Sequence, residues 1–175
     1  MANLFLIGDS MIEFFDWRPC FPDHRVVNLG RSGETTAELL ARLPAILALQ
    51  PAPDWLLLMT GTNDVCMEHF AFPATYARIL ATCKTLRPQA EITVNSLLPI
   101  ALPYLAADTV PRLNGLLRAL TSAPKTHFLD GYAALSDRTG KIRPGVLAAD
   151  GVHLSDHGYQ LWGNALQHHL SSLPL

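Results

Sequence analysis

LFLIGDS (residues 4–10) places an unbroken apolar run directly before a glycine, an aspartate and a serine. An apolar run without alternation is typical of a strand that is covered on both faces, as in a parallel sheet. The turn residues that follow end the strand and bring Ser10 to its carboxyl end. We therefore predict an α/β fold that carries a serine at one edge of its sheet.

Four more apolar runs follow the first, and each precedes a segment of helical character. Such alternation predicts a parallel sheet of five strands. The later runs occupy residues 26–29, 55–59, 92–98 and 127–129, and the helical segments lie at 35–50, 72–88, about 110–120 and from about 156 onward.

Several residues mark where these helices begin and end. Thr35 and Glu38 have the spacing of a capping box, so a helix is expected to begin there. Pro44 is expected to end that helix and to begin a short second one, because proline donates no backbone hydrogen bond. Asp156 is expected to cap the last helix, and Asn114 is read as a solvent-facing helical residue.

The bulk composition favours a single compact globular unit. The chain has 175 residues, of which 49% are hydrophobic and 16% are charged. We expect one domain over residues 1–175. The formal net charge of −2 gives no electrostatic reason to expect nucleic acid or an anionic membrane as a partner. The sequence does not specify an oligomeric state.

The sequence also indicates a cytoplasmic protein without integral membrane association. No apolar stretch approaches the roughly 20 residues of a membrane span, and no Lys or Arg precedes the first apolar run as in a signal peptide. Cys20, Cys66 and Cys83 are an odd number of cysteines without the spacing of metal ligands. We expect reduced thiols rather than disulfides.

Four polar clusters carry the candidate chemistry. Ligands of an open parallel sheet bind beyond the carboxyl ends of its strands, and all four clusters are predicted to lie at that edge of the sheet. The clusters are Gly8-Asp9-Ser10, Gly30-Arg31-Ser32-Gly33, Gly61-Thr62-Asn63-Asp64 and, before the last helix, Asp150-Gly151-Val152-His153.

Ser10, His153 and Asp150 can form a nucleophile, a base and an acid that orients the base. A serine hydroxyl needs a neighbouring base to take its proton, and that base needs an acceptor on its other nitrogen. Asp150 precedes His153 by three residues, so its carboxylate can turn back toward the imidazole. Asp64 and Asp130 are rival acids, whereas Asp9 is read as a turn or helix-capping residue.

The same clusters offer donors for the oxyanion of a tetrahedral intermediate. We expect the backbone N–H groups of Ser10 and Gly30 and the side-chain amide of Asn63 to serve. Glycine at position 30 would let the main chain approach closely. No histidine is spaced with cysteines or carboxylates as in a zinc site, so neither a metal nor a cofactor is expected.

All four clusters, in this order, resemble the SGNH hydrolases, which are also called GDSL-like esterases or acylhydrolases. The resemblance spans residues 8–153. It implies a flavodoxin-like three-layer α/β/α sandwich with a parallel five-stranded sheet, and it implies the roles given above to Ser10, Gly30, Asn63, Asp150 and His153. Met11 stands where the family often has leucine, and Arg31-Ser32 is not a diagnostic pair.

The expected activity is hydrolysis of small or short-acyl carboxylic esters through an acyl-enzyme. A thioesterase or lysophospholipase activity is one alternative, and a non-enzymatic flavodoxin-like binding module is another. GDSMIEFF with DGVHLS resembles platelet-activating-factor acetylhydrolase catalytic subunits, whereas residues 26–47 resemble bacterial thioesterases and lysophospholipases.

The acyl pocket is the least defined part of the predicted site. The loop at residues 97–111 is expected to face the substrate, because long ordered loops on a rigid sheet often bind ligands. Met11, Leu98, Ile100 and Val152 are candidates for the pocket lining, and each is equally compatible with a place in the core.

Overall fold

The computed structural model describes all 175 residues and contains one parallel sheet of five strands. The strands are β1 (Asn3–Gly8), β2 (Arg25–Gly30), β3 (Trp55–Met59), β4 (Glu91–Asn95) and β5 (Thr126–Leu129). The helices are α1 (Ser10–Glu13), α2 (Thr36–Leu47), α3 (Thr62–Cys66), α4 (Pro73–Leu86), α5 (Thr109–Ala119), α6 (Gly131–Ala134) and α7 (Asp156–Ser171), with a 3-10 turn at Arg18–Cys20.

The strand order β2-β1-β3-β4-β5 places the first strand between its two successors. The chain therefore moves outward in one direction after β1 and in the opposite direction after β2. Such a reversal leaves a crevice at the carboxyl ends of the strands, where the loops diverge. The segments that follow β1, β2 and β3 border this crevice.

Apolar side chains pack on both faces of the sheet, which explains why the strand sequences do not alternate. Within β1, Phe5 and Ile7 face the layer formed by α2, α4 and α5. Leu4 and Leu6 point the other way, toward the layer that contains α1 and α7. The predicted three-layer α/β/α sandwich is confirmed, with a core on each side of one sheet.

The prediction that Pro44 divides a helix is wrong. Helix α2 continues from Thr36 to Leu47 with the proline inside it. A proline within a helix is destabilising by about 3 kcal/mol, since it removes a hydrogen bond and crowds the preceding turn. Here Leu43, Ile46 and Leu47 are all buried in the core, and their packing keeps the last turn helical.

The N-terminal caps of α2 and α7 agree to different degrees with those predicted from the sequence. The capping box at Thr35 and Glu38 is present, as predicted. Helix α7 does begin at Asp156, but its N-cap is Ser155, whose hydroxyl accepts a hydrogen bond from the Gly158 amide. The predicted capping role of Asp156 is therefore wrong, because the residue lies one position inside the helix.

Asn114 faces the protein interior, so its prediction as a solvent-facing residue is also wrong. Its Oδ1 accepts a hydrogen bond from the Leu97 amide at 2.8 Å, and its Nδ2 donates to the Leu97 carbonyl at 3.0 Å. They supply partners for the Leu97 main chain beyond the end of β4 at Asn95. They also attach the start of the loop predicted at residues 97–111 to α5.

No helix of the structure has both the length and the apolar character that a membrane crossing requires.

Candidate active site

Ser10 is the first residue of α1, just beyond the end of β1, an interior strand of the sheet. Asp9 forms the N-cap of this short helix, with Oδ1 accepting a hydrogen bond from the Met11 amide at 3.0 Å. The capping interpretation of Asp9 is confirmed. Its carboxyl group is fully buried, and this burial raises its pKa to about 6 even though the Met11 amide lowers it.

The structure brings Ser10, His153 and Asp150 into one continuous hydrogen-bonded set. Ser10 Oγ lies 3.0 Å from His153 Nε2, although the two residues are 143 positions apart in the sequence. On the other side of the ring, His153 Nδ1 lies 2.6 Å from Asp150 Oδ2. A single imidazole therefore joins the serine hydroxyl to the carboxylate.

The electrostatics of this set fix which nitrogen of His153 carries a proton. The hydrogen bond from His153, supported by the Val152 amide, lowers the pKa of Asp150 to about 2. An ionised carboxylate can only accept hydrogen bonds, so the proton of the neutral ring lies on Nδ1. The lone pair of Nε2 then faces the Ser10 hydroxyl, which is the arrangement that a general base requires.

His153 is presented by a tight loop between residues 146 and 155. The loop is closed by hydrogen bonds from the Ala148 amide to the His153 carbonyl at 2.8 Å and from the Ser155 amide to the Val146 carbonyl at 3.0 Å. Asp150 Oδ1 also accepts from the His153 amide at 2.9 Å. The acid is thus held by the main chain of the base that it orients.

The two rival acids have other partners. Asp64 accepts hydrogen bonds from the amide and the hydroxyl of Thr36 at 2.9 and 3.0 Å, which joins α3 to the start of α2. Asp130 caps α6 and lies 2.7 Å from the Arg118 guanidinium. Neither carboxylate contacts His153, so the structure favours Asp150 as the orienting acid.

Gly30 does not offer the free N–H group expected of an oxyanion donor, and this expectation is wrong. Its amide donates to Asn28 Oδ1 at 3.0 Å. The need for glycine there is one of space, because a Cβ at position 30 would lie 2.3 Å from the backbone nitrogen of Glu13. Gly30 is therefore where β2 and α1 approach each other closely.

Gly33, which the sequence interpretation did not select, has the properties that Gly30 lacks. It adopts a φ of +76°, a conformation that favours glycine, and open space lies where a side chain would be. Its N–H has no hydrogen-bond partner in the protein, and the same is true of the N–H of Ser10. These two amides are free to bind an oxyanion.

Asn63 lies in the first turn of α3, on the third strand-end segment of the crevice. One proton of its Nδ2 donates to the Glu34 carbonyl at 2.9 Å. The other has no partner within the protein. This contact fixes the direction of the amide and leaves one donor for a ligand, as the sequence prediction requires.

Two of the predicted pocket residues are inaccessible. Met11 and Leu98 are fully buried and pack in the core with α7, so the core alternative holds for both and neither lines an open pocket. Ile100 and Val152 are partly exposed and keep that possibility. Phe14, which the sequence interpretation missed, is 58% exposed and its ring centre lies 5.5 Å from that of His153.

The loop predicted at residues 97–111 runs beside the site, but it ends at Asp108, because residues 109–111 form the first turn of α5. The Ala101 amide donates to the Gly151 carbonyl at 2.7 Å, and the Tyr104 hydroxyl donates to the Cys66 carbonyl at 2.9 Å. The loop thus contacts both the segment that carries His153 and the helix that carries Asn63. No three His, Cys, Asp or Glu side chains of the protein are grouped to hold a metal ion.

Comparison with known proteins extends the likeness beyond these residues. The family described as GDSL-like lipase/acylhydrolase matches residues 6–161. Platelet-activating factor acetylhydrolase IB subunit alpha1 of Rattus norvegicus is 30% identical over 161 residues, which cover 87% of this chain and 68% of that protein. The acetylxylan esterase of Geobacillus stearothermophilus is 26% identical over 154 residues, covering 81% of this chain and 69% of the esterase.

Solved structures show the same architecture. A structure from Streptococcus pneumonia named for platelet activating factor superposes with a TM-score of 0.87 at 27% identity, covering 97% of this chain and 84% of the other. The acetylxylan esterase of Geobacillus stearothermophilus superposes with a TM-score of 0.81 at 22% identity, covering 98% of this chain and 95% of that one. The latter likeness concerns the fold alone.

Proposed function

We propose, from the premise that this chain belongs to the GDSL-like lipase/acylhydrolase family and is an ester-bond hydrolase, that Ser10, His153 and Asp150 form its catalytic triad. The observation that carries the proposal is the single imidazole between Ser10 Oγ at 3.0 Å and Asp150 Oδ2 at 2.6 Å. A flavodoxin-like binding module without activity, considered from the sequence, is set aside because the family consists of acylhydrolases.

The reaction proceeds in two steps on this geometry. Ser10 Oγ attacks the ester carbonyl carbon while its proton passes to His153 Nε2, and Asp150 stabilises the imidazolium. The proton then moves to the departing alkoxide, so the alcohol leaves and an acyl-enzyme remains. A water molecule attacks the acyl group in the same way, and the acid is released as Ser10 recovers its proton.

We assign the oxyanion to three donors. They are the free N–H groups of Ser10 and Gly33 and the second Nδ2 proton of Asn63, so Gly33 takes the place first given to Gly30. Preorganised donors of this kind each contribute about 3 to 4 kcal/mol to stabilisation of the transition state.

A short acyl group is the substrate feature that the site fits best. Burial of Met11 and Leu98 closes the space below the nucleophile. A cavity of about 470 Å³ is lined by residues such as Phe21, His24 and Leu170 at the amino ends of the strands, away from Ser10. Ile100, Val152 and Phe14 remain to contact the substrate, and two relatives are named for acetyl groups.

The proposed setting follows the sequence prediction. Cys20, Cys66 and Cys83 are all free thiols, which suits the reducing cytoplasm. Both apolar layers pack on one sheet, which supports a single domain over residues 1–175. We further propose that the partner is a small ester and that neither nucleic acid nor a cofactor takes part.

The test joins covalent labelling to a substrate series. A fluorophosphonate probe should label Ser10, as mapped on the digested protein, and Ser10→Ala should remove the label. Nitrophenyl esters and acyl-thioesters of increasing chain length should show the highest kcat/KM for acetyl to butyryl esters. Labelling at another residue would overturn the nucleophile, whereas a maximum for long acyl chains or thioesters would favour the lysophospholipase or thioesterase alternative.

A further inference from the structure

An ion pair lies beneath the loop that joins β2 to α2. We call residues 31–35 the oxyanion loop, because they include Gly33. Arg42 on α2 reaches the Glu34 carboxylate with both Nε and Nη2, the second at 2.7 Å from Oε2. The same Nη2 donates to the Leu29 carbonyl at 2.8 Å. The guanidinium thus joins the end of β2 to the oxyanion loop.

Burial makes this pair unusual among the ion pairs of the protein. The side chain of Glu34 is 1% exposed and that of Arg42 is 23% exposed. Removing both charges from water is costly, and apolar residues of similar size often stabilise a protein as well or better. Stability alone therefore does not account for a charged pair here, whereas a forked guanidinium fixes geometry better than an apolar contact.

The pair is connected to two of the oxyanion donors. The main-chain carbonyl of Glu34 accepts the hydrogen bond that orients Asn63 Nδ2, at 2.9 Å. Gly33 is the neighbouring residue, and its free N–H belongs to the same loop. On the other side, Glu13 on α1 accepts from the Ser32 amide at 2.6 Å. The loop is therefore held by carboxylates and a guanidinium rather than by apolar packing of its own.

We propose that Arg42 and Glu34 are positioning residues that set the direction of the Asn63 and Gly33 donors toward the oxyanion. Neither contacts Ser10 or His153, so they act through the loop and the Asn63 amide. A displacement of about 1 Å in a catalytic group can lower a rate by about 100-fold. The inference rests on the proposed function, since it assumes that Asn63 donates to the oxyanion.

A mutant cycle with Asn63 measures this role. Arg42→Lys keeps the charge but loses the fork, and Glu34→Gln keeps the carbonyl that Asn63 uses. Each should lower kcat about tenfold with little change in KM, and Asn63→Ala should lower kcat about 100-fold. In the Asn63→Ala background, Arg42→Lys should lower kcat less than about fourfold, because one of the donors that it positions is gone.

Arg87→Lys is the matched control for loss of a part-buried guanidinium. Arg87 donates to the Leu47 carbonyl at the far end of α2 and has no contact with the oxyanion loop. Its replacement should lower the melting temperature without changing kcat. A readout without turnover is the side-chain amide resonance of Asn63, which should shift or broaden in Arg42→Lys and stay unchanged in Arg87→Lys.

Two results would overturn the inference, and they are distinguishable. If Arg42→Lys lowers kcat by the same factor with and without Asn63 and leaves its amide resonance unchanged, the pair acts on the general fold and not on the donor. If Asn63→Ala itself leaves kcat unchanged, the oxyanion assignment fails, and the positioning role falls with it.

Discussion

Two histidines of this protein pair with carboxylates at nearly the same distance, at opposite ends of the sheet. His153 Nδ1 lies 2.6 Å from Asp150 at the carboxyl ends of the strands. His127 Nε2 lies 2.7 Å from Glu91 at the amino ends, where β4 and β5 begin. The local distances do not distinguish the two pairs, yet only the first adjoins a serine.

The difference lies in how the three kinds of group are connected. At the amino ends, the hydroxyl of Thr93 lies 2.9 Å from a second imidazole, that of His169, and not from His127. Thr93 Oγ1 also accepts a hydrogen bond from the Trp55 indole at 2.8 Å. Hydroxyl, imidazole and carboxylate are all present there, but no single ring joins them. Activation of a hydroxyl therefore depends on a single imidazole that contacts both the hydroxyl and the carboxylate, and not on the mere presence of the three groups.

The largest expected effect is that of removing the one hydroxyl in the connected set. Ser10→Ala should lower kcat by about 10⁵-fold or more, because no nucleophile remains. Thr93→Val should leave kcat within about twofold, although it breaks a buried hydrogen bond and should lower the free energy of unfolding by about 1 to 2 kcal/mol. Ester turnover and chemical denaturation of both variants check this. A large loss of kcat in Thr93→Val would remove the distinction.

The next effect compares the two acids. Asp150→Asn should lower kcat by about 10⁴-fold, because the amide no longer holds the Nδ1 proton and the ring loses its orientation. Glu91→Gln is the matched neutralisation at the other histidine and should leave kcat within about twofold. Asp130→Asn provides a second control on a strand-end acid. Steady-state kinetics of the folded variants test this ranking. A smaller loss of kcat in Asp150→Asn than in either control would contradict the assignment.

The sequence was sufficient to predict that Ser10, His153 and Asp150 lie together, but it was insufficient to predict the geometry of the oxyanion loop. Asp150 and His153 are three residues apart, so their contact is local, and Ser10 follows a strand that the apolar run identifies. The choice of Gly30 over Gly33 failed because both glycines lie in one short segment. Asn28 was the available signal, since asparagine often accepts from the amide two residues later and occupies the Gly30 N–H.

Long-range packing explains the other discrepancies. The helical period places Asn114 on α5. It does not show that the side-chain oxygen and nitrogen of Asn114 bond to the main chain of Leu97. Proline chemistry argues against a helix through residue 44, and burial of the neighbouring leucines outweighs it. The connection between Arg42, Glu34 and Asn63 joins three separate elements, so no local pattern could reveal it.

Asp9 allows a test at the carboxyl ends of the strands that measures stability instead of turnover. Its folded pKa is about 6 against an ordinary value of 3.8, so the folded state holds the proton more tightly. The free energy of unfolding should therefore fall as pH rises from about 4 to about 6, by up to about 3 kcal/mol. Asparagine also caps helices, so Asp9→Asn should keep the cap and remove this fall. The variant should therefore unfold at a higher denaturant concentration than the unmodified protein at pH 7. Equal stability of both proteins at pH 7 would contradict it.

His169 should give the smallest effect, with the opposite sign. Burial, together with His127 and His168, lowers its pKa from 6.5 to about 4. The unfolded state then binds more protons, and the free energy of unfolding should rise as pH rises between these values. Partial exposure keeps the effect small. His169→Gln should remove the rise, measured by denaturation between pH 4 and 7 in the Asp9→Asn background, where no opposing fall conceals it. A rise of unchanged size would contradict it.

The sequence separation of 143 between Ser10 and His153 also means that the nucleophile is synthesised long before its base. When the ribosome has added Leu129, the residues of all five strands have been joined, and so has the serine that follows β1. Its base does not yet exist, so the growing chain carries an ordinary alcohol rather than a reactive serine. We expect hydrolysis to begin only after residues 146–155 have been added and have brought His153 against Ser10, so the appearance of turnover would report completion of the site.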